Sequence, residues 1–286
     1  MTARLRLALT LAVIGSACAR EPSPAEPTPT PRTQPERDRA PLVTLEIGLV
    51  SEQARAQLAE RHGPDSPLAT AQAILAVHHQ IAAPWHIYWK NPGESGLRTR
   101  LELSGSGFEA GAVLYPAPER FIALGGQVSY GWAGEVVLFV PLLELDGAAQ
   151  IELRSDWLAC HESCIPGSAA LSVTTAELPT RDDESTRAML ARVPEPADDR
   201  LTVAWTGASV HVEAVEAARA DLELLEFFPY AHAQARLESI ELRAGSLDLR
   251  YHFDAQPPAE IGQGVLAIRQ AGEPRWLELA AAWPSP

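Results

Sequence analysis

The stretch Ile151-Glu152-Leu153-Arg154-Ser155-Asp156-Trp157-Leu158-Ala159-Cys160-His161-Glu162-Ser163-Cys164-Ile165-Pro166-Gly167 holds two of the chain's three cysteines. Its first ten residues alternate. Ile151, Leu153, Trp157 and Ala159 fall on one face, and Glu152, Arg154, Asp156, Leu158 and Cys160 on the other, which is the period of a half-buried β-strand. Cys160 leaves that strand on its mainly polar side. Beyond Pro166-Gly167, Ala169, Leu171 and Val173 alternate again and read as a returning strand, so Cys164 is expected in the connection. The reading is a β-hairpin with two thiols facing each other across a short surface loop.

The same pattern spreads outward. Val43, Leu45, Ile47 and Leu49 alternate, as do Leu75, Val77, His79 and Ile81, and Leu97, Thr99, Leu101 and Leu103. Val136 to Leu143 is nearly continuous in apolar residues and suits a strand buried on both faces, with Pro141 pushing its end to an edge or bulge. Ser51 to His62 has helix-forming composition, with Ser51 as N-cap and Gly63-Pro64 as its end. Many short strands with Gly and Pro turns predict an all-β sandwich.

Residues 176 to 200 break the rhythm with Arg181-Asp182-Asp183-Glu184, a short helical pattern over Ser185 to Arg192, and Pro194 and Pro196. They read as a linker. After it the chain is β-rich again, most clearly at Leu242 to Phe253, where Gly245-Ser246 suits a hairpin turn and Leu247, Leu249, Tyr251 and Phe253 share a face.

At 286 residues the chain can bury a real core, and its length favours about two domains. A formal net charge of -14 with no basic stripe argues against nucleic acid as a partner. Arg4 and Arg6, the apolar run Leu7 to Ile14, and Gly15-Ser16-Ala17-Cys18 read as an export signal too short to span a membrane. Small residues before Cys18 resemble the bacterial lipobox, which predicts lipidation of Cys18; the alternative is an ordinary cleaved signal. The seven prolines of residues 19 to 41 predict a semi-extended tether. Cys160 and Cys164 then remain as a lone pair in an oxidising compartment.

Three chemistries are open to that pair. As a staple it would close only five residues, worth about 2 kcal/mol against about 4.7 for a 100-residue loop. As a redox pair it has the access and the tuning neighbours, Trp157, His161 and Pro166, that exchange needs. Cys160, His161 and Cys164 are also soft donors suited to Cu(I) or Zn, although only one of His78 and His79 could join them, because neighbouring strand residues point to opposite faces. The aromatic segment Trp85-His86-Ile87-Tyr88-Trp89-Lys90 followed by Asn91-Pro92-Gly93 reads as a core strand and tight loop, or as a ligand-stacking site. No nucleophile elbow or phosphate loop is present.

One combination of motifs is specific: Trp85-His86-x-Tyr88-Trp89-Lys90-Asn91-Pro92-Gly93-Glu94-Ser95-Gly96, Tyr115-Pro116-Ala117-Pro118-Glu119-Arg120, Tyr130-Gly131-x-x-Gly134-Glu135, and the Asp156 to Gly167 run with three residues between its cysteines. Across roughly residues 42 to 175 it resembles the N-terminal domain of the DsbD family of thiol:disulfide interchange proteins, in particular the ScsB-like branch. Phe227-Phe228-Pro229 is similar to a segment of the second β domain in that branch.

The resemblance implies two immunoglobulin-like sandwiches and a thiol-disulfide oxidoreductase whose catalytic residues are Cys160 and Cys164, with Cys164 forming the mixed disulfide. Gln127 to Trp132 would take the place of the family's cap loop, with Tyr130 or Trp132 as shield and His161 and Pro166 tuning the pair. No cofactor is implied. The implied partners are a separate membrane-embedded thiol electron donor and oxidised periplasmic thioredoxin-like proteins. The alternative is a copper-binding or structural adaptor lipoprotein. The expected layout is a lipoprotein signal peptide (1–17), a tether (18–41), a sandwich with the cysteine pair (42–178), a linker (179–198) and a second sandwich (199–286), in a periplasmic, membrane-anchored protein.

Overall fold

Alternating apolar residues do form the strands. In chain order these elements are β1 (Val43–Val50), α1 (Glu52–His62), the single turn α2 (Pro67–Thr70), β2 (Ala73–Ile81), β3 (His86–Gly93), β4 (Arg100–Ala110), β5 (Glu119–Ile122), β6 (Val128–Ala133), β7 (Glu135–Cys160), β8 (Cys164–Thr174), β9 (Thr180–Arg181) and α3 (Glu184–Ala191). The structure is a computed structural model and describes residues 40–280 except 65, 124, 198, 217, 219, 233, 234, 244 and 254–262. The expected signal peptide, Cys18 and nearly all of the tether lie outside the described residues.

The spine is β7, 26 residues long. Its first part, Glu135 to Leu142, pairs with β2; its last part, Gln150 to Cys160, pairs with β8 on one edge and, on the other, with β4 as far as Asp156 and with β3 at Ala159 and Cys160. Register with β4 breaks between Glu109 and Ala110, beside Leu142, so Pro141 stands where a missing N–H costs no ladder bond. Alternate residues of β2 and β7 serve two cores. Leu75, Val77, Val136, Leu138 and Val140 point into the sandwich with Ile151, Leu153, Ile87, Trp89 and Trp132. Ile74, Ala76, Val137 and Phe139 point the other way and are covered by Leu58 of α1, Leu68 of α2 and Leu190 of α3. The nearly continuous apolar run is thus a strand buried on both faces.

Helix α1 starts as its sequence indicates: the Ser51 hydroxyl accepts from the Ala54 N–H, and Gly63 ends it at positive φ. Leu97 departs from expectation. It is 64% exposed, because β4 begins only at Arg100 and the chain turns through Glu94–Gly96 just before it. The stretch read as a linker is packed rather than free: Asp183 caps α3, and Thr186, Leu190 and Val193 are buried.

The rest of the chain forms two four-stranded sheets. Their strands are β10 (Glu195–Pro196), β11 (Leu201–Thr206), β12 (Ser209–Ala214), β13 (Leu222–Pro229), β14 (Ala235–Arg243), β15 (Ser246–Phe253), β16 (Gly264–Gln270) and β17 (Glu273–Leu279). They run in the orders β10-β17-β16-β13 and β11-β12-β15-β14. Leu247, Leu249 and Tyr251 are buried between them. From β13 and β16, Phe228, Val265 and Ala267 join the core of the first sandwich. The contact is made at the far end of β3: Trp89 lies against Phe228 and Tyr230, and the Asn91 side-chain amide donates to the Pro229 carbonyl at 2.7 Å.

Candidate functional site: a disulfide at a hairpin tip

The last pair of the β7–β8 ladder is Cys160 opposite Cys164, joined by a disulfide with an S–S distance of 2.02 Å and a Cα–Cα distance of 4.2 Å. Three residues, His161 to Ser163, close the loop, with the His161 N–H donating to the Ser163 carbonyl at 3.1 Å. Cys164 was expected in the connection; instead it opens the return strand, because three residues suffice for a hairpin turn. Pro166 stands opposite Leu158 and is tolerated there because β8 pairs only with β7 among the described residues. Gly167 stands opposite Trp157, and a Cβ there would overlap the indole, so the Pro-Gly step lets the strand return across the ring.

Strand parity decides where the sulfurs lie. Trp157 and Ala159 turn into the core, at 8% and 1% exposure, and Cys160 faces the other side. The two cysteines are unequal: Cys160 is 3% exposed, whereas Cys164 is exposed together with the three loop residues before it. An incoming thiolate meets Cys164 first.

Across the ladder from Cys160 stands β3, with one ring of β5 against it. His86 pairs with Cys160 and Ile87 with Ala159, so His86 shares the face of the disulfide while Ile87 is in the core. The Phe121 ring stacks on His86, with centroids 4.5 Å apart and planes at 14°, and Tyr88 meets the same imidazole edge-on at 5.1 Å. Gly96, at φ +100°, passes under the Tyr88 ring where a Cβ would collide with it. On the other flank Trp85 approaches the exposed His161 at 6.4 Å. Burial holds the His86 imidazole below its ordinary pKa, and the neighbouring His161 adds to this. Burial likewise raises the Tyr88 phenol.

Tyr130 and Trp132 do other work than the shielding expected of them. Trp132 pairs with Ile87 and is fully buried, stacked on Tyr115 with its indole N–H donating to the Ala117 carbonyl at 3.4 Å. Tyr130 packs edge-on against Phe228. Both project from β6 into the core, and Gly131, the residue between them, carries no ring. The ring stacked on His86 belongs to Phe121, opposite Ser129. Nothing in the letters around Phe121 marked it. His86 could have been found from the alternation of His86 and Tyr88 with Ile87 and Trp89.

The remaining donors considered for a metal are engaged elsewhere. His79 is fully buried, with Nε2 2.8 Å from the Ser155 hydroxyl and Nδ1 3.3 Å from the Val77 carbonyl; desolvation brings its pKa down to about 4. His78 lies 3.2 Å from Glu135 and 3.3 Å from the Thr186 hydroxyl. Among the described residues no group of three or more His, Cys, Asp or Glu is placed to hold a metal ion.

An all-β sandwich with a half-sheltered disulfide at a strand tip defines a class, and comparison shows which known domain it resembles. Residues 56–176 match the family model "Thiol:disulfide interchange protein DsbD, N-terminal". The chain carries a DsbD N-terminal-like domain. The crystal structure of the N-terminal periplasmic domain of ScsB from Proteus mirabilis superposes with a TM-score of 0.58 at 15% identity, covering 88% of this chain and 97% of that one. The likeness extends over both β-rich regions and shows a shared fold, in the all-β, immunoglobulin-like class expected from the sequence. No curated protein matches the chain.

Proposed function

We propose that this chain is a thiol-disulfide exchange module in which Cys160 and Cys164 cycle between disulfide and dithiol. It accepts electrons from a membrane-embedded thiol transporter and passes them to oxidised periplasmic proteins. The observation that carries the reading is the inequality of the two cysteines: Cys164 is exposed at the tip of a hairpin, and Cys160 is buried opposite His86. Such a pair exchanges through one sulfur and resolves through the other. The family match over 56–176 supports it, as does the short span of the bridge, which stabilises the fold little. The same reading places the protein in the periplasm, tethered through a lipidated Cys18, with the sandwich, linker and second sandwich divided near residues 178 and 198, and His161 and Pro166 at the rim of the exchange site.

Equilibration of the purified chain in graded dithiol/disulfide buffers tests this. A reduction potential more oxidising than about -300 mV, the level below which structural disulfides lie, is expected. A small-molecule disulfide should trap Cys164 in preference to Cys160. A potential well below that level, with neither sulfur trapped, would make the bridge a staple.

A further inference from the structure

Among the described residues, His86 is the one titratable side chain other than the cysteines themselves that the fold sets directly opposite a cysteine of the bridge. It pairs with Cys160 across the β3–β7 ladder. Directly opposed residues of an antiparallel pair hold their Cβ atoms about 4.5–5.5 Å apart on the same face, within reach of an imidazole and a thiol. The imidazole is held from two sides, by the parallel Phe121 ring and the edge of Tyr88. Its Nε2 is buried and has no hydrogen-bond partner. Buried polar atoms are nearly always partnered, so an orphan beside a redox centre calls for a partner that exists in another state of the centre. Reduction supplies one: the Cys160 thiol, absent while the bridge is closed.

We infer that His86 Nε2 is the general base that takes the proton from the Cys160 thiol in the resolving step. This rests on the exchange function proposed above. Starting from the dithiol, the Cys164 thiolate attacks the disulfide of an oxidised client, forms a mixed disulfide and expels the first client thiolate. The Cys160 sulfur then attacks Cys164 Sγ as its proton passes to Nε2. The bridge closes and the second client thiolate leaves. Two electrons have moved from the pair to the client, and the imidazolium gives its proton to the departing thiolate or to water. In reverse, the imidazolium protonates Cys160 as a dithiol opens the bridge.

The surroundings favour a neutral imidazole ready to accept. Burial and the nearby His161 both disfavour the cation. Tyr88 is a phenol kept neutral by burial. Glu119, on the face of β5 that carries Phe121, is 3.6 Å from Arg192 and does not pair with His86. Glu162 is exposed in the hairpin loop.

The test mixes fully reduced protein with excess 5,5′-dithiobis(2-nitrobenzoate) and follows the two releases of coloured thiolate by stopped flow. The first reports Cys164 and the second the resolving attack of Cys160. His86→Gln is expected to slow the second release by about 10- to 100-fold, the range of general-base assistance, and to leave the first within about twofold. The pH profile separates catalysis from structure. With His86 the second rate should level off above the imidazole pKa; in His86→Gln it should climb about tenfold per pH unit toward the thiol pKa near 8.5. In His86→Ala, added imidazole should restore the second phase. If both phases and both profiles match the wild type, His86 is not the base. If both phases slow together without imidazole rescue, its role is structural and the inference falls. If the wild-type protein itself shows no second release, the exchange reading fails with it.

Discussion

The two ends of β3 are three to five residues apart and do opposite things. At one end His86 stands against a bridge that opens onto solvent, its ring flanked by Phe121 and Tyr88. At the other, Trp89 is fully buried between the sandwich and the second β region, Lys90 lies 3.5 Å above the Tyr230 ring, and Asn91 ties the strand to Pro229. Both ends are aromatic-rich. Each end also keeps one buried ring nitrogen without a partner, the Trp89 indole N–H at the interface and His86 Nε2 at the disulfide, while Asn91 donates to the neighbouring backbone; they differ in that only His86 stands opposite a cysteine. A dense aromatic motif can therefore encode adhesion and chemistry on one strand, and the strand each end is paired with separates the two.

The largest effect expected is at the bridge. Cys164→Ser should abolish exchange entirely, yet lower stability by only about 2 kcal/mol or less, because the closed loop spans five residues. Urea unfolding beside a thiol-exchange assay reads both. A variant that fails to fold would show that this end, too, is structural, and the contrast would disappear.

Trp89→Ala should do the reverse. Removing a fully buried large ring typically costs about 3–5 kcal/mol. Exchange per folded molecule should stay close to the wild type, since the ring packs on Phe228 and Tyr230 rather than on the disulfide face. Exchange that falls in step with stability would mean the two ends are coupled through β3.

The smallest effect is in pH dependence. Lys90, the only lysine in the chain, has its pKa lowered from 10.5 to about 8, chiefly by burial, with Glu278 opposing. Between those values the unfolded chain binds the proton that the folded chain has released, so stability should rise with pH from about 8, by at most about 1.4 kcal/mol per pH unit. Above pH 10 the Tyr230 and Tyr251 phenols, raised by burial, reverse the trend, because the unfolded chain loses those protons first. Lys90→Met should flatten the rise in denaturation measured from about pH 8 to 10. A rise that survives the substitution would assign it to other groups and leave Lys90 without this role at the interface.

Much of the fold was already determined by the order of the residues, because alternation is a local property. The two faces of Ile151 to Cys160, the doubly buried Val136 to Leu142 run, the Ser51 cap and the Leu247 to Tyr251 face all follow from period and flanking turns, and the proximity of Cys160 to Cys164 from their spacing. Tertiary structure alone decided which groups from elsewhere reach the bridge. His86 stands opposite Cys160, and Phe121 stacks on His86, because β3 pairs with the tip of β7 and β5 pairs with β6, and register between distant strands is set by packing across the whole sheet. The same register turned Tyr130 and Trp132 inward, although their letters suit a shield as well as a core. Leu97 was left in solvent because pairing of β4 starts only at Arg100. A strand pattern specifies that a residue has two faces to choose from; only the neighbouring strands determine which face meets the disulfide.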